Sequence, residues 1–153
     1  MRNMKPVLLV EDDTIDAMTV KRAFKDLKLT NALSLCTNGE EALAYLQDPK
    51  NSGPCVILLD LNMPRMNGIE FLRIAKADGK LKTIPVIVLT TSSEERDIVE
   101  SFRLSVSGYI IKPVDYKKFV EAIRTIDLYW TLSELPDTET GVCDAQVETA
   151  VAG

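Results

Sequence analysis

Apolar residues along this chain fall into two alternating patterns. Short continuous runs, Val7–Val10, Val56–Leu59, Pro85–Leu89 and Gly108–Ile111, have the length and branching of strands buried on both faces of a parallel sheet. Ala32–Cys36 reads as one more strand. Between the runs, apolar residues recur at helical spacing: Ala17, Val20, Phe24 and Leu27, then Ala42, Leu43 and Leu46, then Phe71, Leu72 and Ala75. Ile98, Val99 and Phe102 form a fourth stripe, and Phe119, Val120 and Ile123 a last one that runs on toward Leu128. Lys21, Arg22, Lys25 and Lys28 fall on the wet face of the first helix.

The punctuation agrees with this reading. Asp13 or Thr14 can cap the first helix, Ser92 with Glu95 fits a capping box, and Asp115 can cap the last. Asn38-Gly39 turns into the second helix, which stops before Pro49, and Asn51–Pro54 is a loop. Asn62, Pro64, Asn67 and Gly68 make a turn after Asp60, a helical pattern resumes at Ile69, and it breaks near Gly79.

Strands alternating with helices imply an α/β fold, a doubly wound parallel sheet wrapped on both faces. In the flavodoxin-like (βα)5 arrangement the strand order is 2-1-3-4-5, and the switch point lies between strands 1 and 3. The polar signals all fall at strand ends: Glu11 and Asp12, Asp60, Thr90, and Lys112. Open α/β sheets bind ligands at that edge. Asp60 is therefore expected at the chemical centre, flanked by Glu11 and Asp12, with Thr90 and Lys112 approaching from strands 4 and 5.

Composition narrows the chemistry. The chain of 153 residues suits one domain, and it contains no histidine, which removes Ser-His-Asp triads, Cys-His dyads, histidine metal sites and a phosphohistidine carrier. A metal here must be held by oxygen, which favours a hard ion such as Mg²⁺. Cys36 and Cys55 sit in or beside apolar runs and read as small buried hydrophobes, whereas Cys143 lies in a polar tail. The net charge of −5 comes from 131–153, where Glu134, Asp137, Glu139, Asp144 and Glu148 stand without Lys or Arg. The rest is neutral overall and carries no electrostatic footprint for nucleic acid. With no apolar run approaching a membrane span and no signal peptide, the expected compartment is the cytoplasm.

Three carboxylates within a few ångströms repel one another unless a cation sits among them. Mg²⁺ held by carboxylates, a backbone carbonyl and waters meets that need and leaves room for an incoming anion. Lys112 can grip a phosphoryl oxygen, the Thr90 hydroxyl another, and backbone N–H groups of the Leu61–Met63 turn a third. These are parts for phosphoryl transfer to Asp60, where positioning and charge neutralisation do most of the work.

The stretches LLVEDD, LLDLNMPRMNG, VIVLTT and GYIIKP, in that order and spacing, resemble the signature of the CheY-like receiver domain of two-component response regulators across roughly Lys5–Tyr129. The resemblance implies Asp60 as phosphoacceptor, Asp12 as direct Mg²⁺ ligand, Glu11 acting through water, and Asn62 giving its backbone carbonyl to the metal. It implies Thr90 and Tyr109 as switch residues, Lys112 as the phosphate-contacting lysine, and a cis peptide before Pro113. Glu11 stands where many relatives have Asp.

Phosphorylation would add charge and acceptor oxygens at Asp60. Thr90 would then move in, vacating space for Tyr109 to fill from the surface, and so remodel the face of helix 4, strand 5 and helix 5. A partner or a second copy of the chain is expected on that face. The domain is expected over 5–130, followed by an acidic extension over 131–153, flexible at its end. That extension is too short for an output domain, so a phosphotransfer or effector protein is expected downstream. The ending DLYWTLSELP resembles stand-alone regulators paired with phytochrome-type sensor histidine kinases, which tend to dimerise. An alternative is a Mg²⁺-dependent aspartyl-phosphate hydrolase of the haloacid-dehalogenase type. Such enzymes need a general acid two residues after the nucleophile, and Asn62 stands there. The chain is thus read as no enzyme beyond its own phosphorylation and slow dephosphorylation. The complete acid set also argues against an unphosphorylated scaffold.

Overall fold

Each apolar run pairs side by side with another, because strands buried on both faces can satisfy their backbone groups only in a sheet. The computed structural model describes residues 5–51, 53–61, 63, 65–90, 98–99, 104–111 and 115–132, with the backbone alone for 128–132. In chain order the elements are β1 (Val7–Val10), α1 (Thr14–Asp26), β2 (Leu33–Cys36), α2 (Gly39–Gln47) and β3 (Val56–Asp60). They continue with α3 (Gly68–Ala77), a 3-10 turn (Leu81–Thr83), β4 (Val86–Thr90), β5 (Gly108–Ile111) and α4 (Tyr116–Leu132). All pairings are parallel, and the sheet order is β2-β1-β3-β4-β5, the order expected from the sequence.

The differences from the sequence reading have local causes. Pro85 stays outside β4 because it has no N–H to give the ladder, although its carbonyl accepts from the Ile57 N–H at 2.9 Å. The 3-10 turn was not foreseen; the Asp78 carboxylate organises it by accepting from the N–H groups of Lys80 (2.8 Å) and Leu81 (3.0 Å). β3 runs one residue further than the apolar run and includes Asp60, and the last helix continues beyond Leu128 to Leu132. Of the fourth expected helix, Ile98 and Val99 are helical, while Ser92, Glu95 and Phe102 lie outside the described residues. So do Cys143 and the extension from 133 onward.

Successive strand residues point to opposite faces, which gives two cores. Leu8, Val10, Ile57, Leu59, Val86, Val88 and Tyr109 share one with Ala42 and Leu43 of α2 and with Phe71, Leu72 and Ala75 of α3. Val7, Leu9, Val56, Leu58, Ile87, Leu89 and Ile110 share the other with Ala17, Val20 and Phe24 of α1 and with Phe119, Ile123 and Ile126 of α4. Burying one such side chain is worth about 1.5–3 kcal/mol, so the sheet is a stiff platform for whatever its edge carries. Among the described residues no helix is long and apolar enough to cross a membrane.

Side chains set where the helices begin. The Asp13 carboxylate caps α1 by accepting from the N–H groups of Ile15 (2.8 Å) and Asp16 (3.1 Å). At its other end Lys28 adopts φ 57°, and the Leu29 N–H bonds back to the Phe24 carbonyl at 3.0 Å, a Schellman closure without its usual glycine. Asn67 and Glu70 form a capping box on α3. Asp115 serves α4, its carboxylate accepting from the Lys118 N–H at 3.3 Å.

Gly68 admits α3 to the sheet edge. A Cβ there would lie 2.6 Å from the Asp60 carbonyl oxygen and 2.7 Å from Leu61 Cα, whereas one on Gly79 would meet nothing within 4 Å. Gly68→Ala should lower the unfolding free energy measured in urea by about 1–3 kcal/mol, the cost of overpacking against backbone. Gly79→Ala should stay within about 0.5 kcal/mol of the parent. Equal effects of the two substitutions would contradict the close approach.

Candidate metal centre at the sheet edge

Pairing of β1 with β3 places Val10 beside Leu59, so the residues that follow, Glu11 just past β1 and Asp60 at the last position of β3, come side by side at the carboxyl edge of the sheet. One carboxylate oxygen from each of Glu11, Asp12 and Asp60 lies within 4.8 Å of the other two. Glu11 is 1% and Asp60 3% exposed, while Asp12 faces solvent. Backbone contacts fix the arrangement. The Glu11 N–H donates to the Cys36 carbonyl at 2.9 Å, extending the β1–β2 ladder, and the Asp13 N–H donates to Glu11 Oε2 at 3.2 Å.

Two carboxylates buried beside a third lose hydration and repel each other, a cost that persists only where something compensates it. The donor set is oxygen only, with one exposed member open to an entering ion, and so fits a hard divalent cation.

Asp60 pairs with Leu89, which places Thr90 at the same edge, and Thr90 pairs with Ile111. Tyr109 pairs with Val88, two positions before Thr90, so Thr90 and Tyr109 occupy neighbouring sites on one face of the sheet. Thr90 is fully buried and Tyr109 is 3% exposed, within the same core as Val88, Val99 and Val106. Tyr109 was expected to enter from the surface. It is already inside, because its strand parity points it into the apolar layer. Asn62, Lys112 and Pro113 lie outside the described residues.

The segment after Asp60 is pinned at several points. Leu61 and Met63 are buried, the Gly68 N–H donates to the Leu61 carbonyl at 3.1 Å, and the Gly39 N–H donates to the Met66 carbonyl at 3.0 Å. Arg65, between these pins, takes the left-handed conformation at φ 61°. The sequence marked Gly68 only as a turn residue. Its closeness to the Asp60 carbonyl depends on how β3 meets α3, and a glycine after an asparagine signals no such distance. Cys36 is no nucleophile here: burial, helped by the nearby Glu41 carboxylate, pushes its thiol up to about 11.

Residues 7–124 match the family model of the response regulator receiver domain. The chain belongs to that family. Among relatives, it is 38% identical over 130 residues to response regulator Rcp1 of Synechocystis, covering 82% of this chain and 88% of Rcp1. It is 36% identical over 127 residues to the probable methanogenesis regulatory protein FilR2 of Methanothrix harundinacea, covering 81% of this chain and 82% of that one. Among solved structures, the phosphorylated cyanobacterial phytochrome response regulator RcpA aligns with TM-score 0.75 and 35% identity, over 88% of this chain and all (100%) of its own. The manganese-bound form of Rcp1 aligns with TM-score 0.72 and 35% identity, over 88% and 97% of the two chains. The receiver is thus a CheY-like protein similar to stand-alone regulators, several of them phytochrome-linked by name.

If the three carboxylates repel, removing one should help the metal-free receiver. In EDTA, Asp60→Asn should raise the unfolding free energy by about 1–2 kcal/mol, the scale of the two like-charge pairs it removes. Mg²⁺ should stabilise the parent and leave the variant nearly unmoved. A parent insensitive to Mg²⁺ would count against a metal centre.

Proposed function

We propose that this receiver stores a phosphoryl group on Asp60, taken from the phosphohistidine of a sensor histidine kinase. The convergence of Glu11, Asp12 and Asp60 within 4.8 Å carries the reading. A carboxylate oxygen of Asp60 attacks phosphorus. As the O–P bond forms, the P–N bond to the donor imidazole breaks, and the imidazole keeps the electron pair and takes a proton from solvent. Asp12, Asp60 and the Asn62 backbone carbonyl, with Glu11 through water, would hold Mg²⁺, which would offset the charge on acceptor and incoming phosphoryl group. Burial keeps Asp60 fixed at the strand end, so the acceptor oxygen is positioned in advance.

Thr90 and Lys112 contact the phosphoryl oxygens, and Tyr109 reports their occupation through the core it shares with Val99. Tyr109, buried in that core, is the side chain whose inward and outward arrangements phosphorylation would bias. Ile98 and Ile111, each 42% exposed, lie on or next to the face expected from the helix carrying Ile98 and Val99, β5 and α4, and favour it for a second copy of the chain or a downstream phosphotransfer or effector protein. The names of RcpA, and of the bacteriophytochrome regulator AtBRR at 37% identity and TM-score 0.70 over 82% of this chain and 93% of its own, favour a phytochrome-type kinase as partner. The receiver extends over 5–130, with 131–153 as an acidic extension, and it works in the cytoplasm. Asn62 in place of a general acid favours storage over turnover.

Acetyl phosphate with Mg²⁺ should place one acid- and heat-labile phosphoryl group on the protein, and Asp60→Asn should abolish the label. Label surviving in that variant would move the acceptor elsewhere. Many turnovers per second on small phosphate esters would favour the hydrolase.

A further inference from the structure

Asp13 stands between the acidic trio and α1, and its polar groups serve both. Its carboxylate accepts from the N–H groups of Ile15 (2.8 Å) and Asp16 (3.1 Å), and its carbonyl accepts from the Ala17 N–H at 2.9 Å. These three bonds fix the residue to the first turn of a 13-residue helix, whose Ala17 and Val20 are buried in one core with Val7 and Leu9 of β1. The remaining backbone group, the Asp13 N–H, donates to Glu11 Oε2 at 3.2 Å.

The two ends of that short segment are held by different elements. The Glu11 N–H bonds to the Cys36 carbonyl at 2.9 Å and so belongs to the sheet, whereas Asp13 belongs to the helix. The bond to Cys36 fixes the Glu11 backbone but selects no rotamer for the long glutamate arm. The Asp13 N–H does, because it can be reached at one carboxylate oxygen only in some of those rotamers. A donor at the positive end of a helix also suits a carboxylate that burial has stripped of water. Asp12, the exposed member of the trio, sits between the two anchored residues, and a link of one residue inherits the placement of its neighbours. The N-cap backbone of Asp13, extended at φ −81° and ψ 118°, is kept by the side chain that holds the helix N–H groups.

We infer that Asp13 is a positioning residue for the cation: by capping α1 it fixes the N–H that orients the Glu11 carboxylate and the turn that carries Asp12. The inference rests on the reading of Glu11, Asp12 and Asp60 as a cation site. The Asp13 carboxylate itself is engaged at the helix start and acts on the ion through its neighbours.

Calorimetry on the full chain reads Mg²⁺ affinity, and urea unfolding in EDTA reads stability. Asp13→Ala should weaken Mg²⁺ binding roughly tenfold, the scale of losing a partner that orients a ligand. Asp13→Asn, which keeps a capping oxygen and drops the charge, should recover most of that affinity. Asp78→Ala, which strips the same kind of carboxylate from the 3-10 turn beyond α3, should lower stability and leave Mg²⁺ binding at the parental value. Parental affinity in Asp13→Ala would overturn the inference. So would Asp13→Asn binding as weakly as Asp13→Ala, since charge and not position would then be at work. If Asp13→Ala does not fold, Asp13→Gly, which lacks the capping oxygen at little cost to the helix, takes its place under the same outcomes. A parent that binds no Mg²⁺ would overturn the cation site, and this inference with it.

Discussion

Three carboxylates meet at the carboxyl ends of two neighbouring strands, and their mutual repulsion is the constraint on which the rest of the structure depends. Glu11 and Asp60 are buried almost completely, so neither can relieve the strain by turning to water. Asp12 remains exposed and gives an ion its way in. A protein would shed such a cluster unless the cost served something. Here the cost creates a demand for a cation, and a cation makes an anion welcome at the same point. The storage of a phosphoryl group follows from that sequence of needs.

The fold answers the constraint with stiffness. Parallel pairing on both sides holds β1 and β3 in register, and two apolar layers prevent either from tilting. Gly68 lets α3 close against the Asp60 carbonyl, and the Gly39 N–H holds the Met66 carbonyl, so the segment carrying the acceptor is fastened at both ends. Arg65 takes the left-handed conformation between these fastenings. Thr90 and Tyr109 stand one diagonal step apart on one face of the sheet, beside the edge that carries Asp60.

Much of this was legible in the chain. Continuous branched runs announced buried strands, and the switch from run to helical spacing announced a parallel sheet. A polar residue at each run's end marked the edge where Glu11, Asp12 and Asp60 meet. What stayed hidden depends on distances between elements. No local pattern reveals that Gly68 faces the Asp60 carbonyl, because its neighbours are an ordinary cap and an ordinary helix. The 3-10 turn after Asp78 rests on one carboxylate bonding two N–H groups, a choice any short acidic loop can make or refuse. The inward placement of Tyr109 depends on strand parity, which the sequence carries, and on the room within the core it shares with Val88, Val99 and Val106, which it does not. The bond that the Tyr116 hydroxyl donates to Asp26 Oδ2 joins residues 90 positions apart, beyond any spacing rule.

The central claim is that the acidic trio is a cation site serving Asp60. Crystals grown in Mn²⁺ would test it most directly, since anomalous scattering locates the ion without assumption about ligands. One peak bridging Glu11, Asp12 and Asp60, at oxygen-ligand distances and lost in Asp12→Ala, is the predicted result. Full occupancy of Mn²⁺ elsewhere on the chain, with the trio empty, would contradict it.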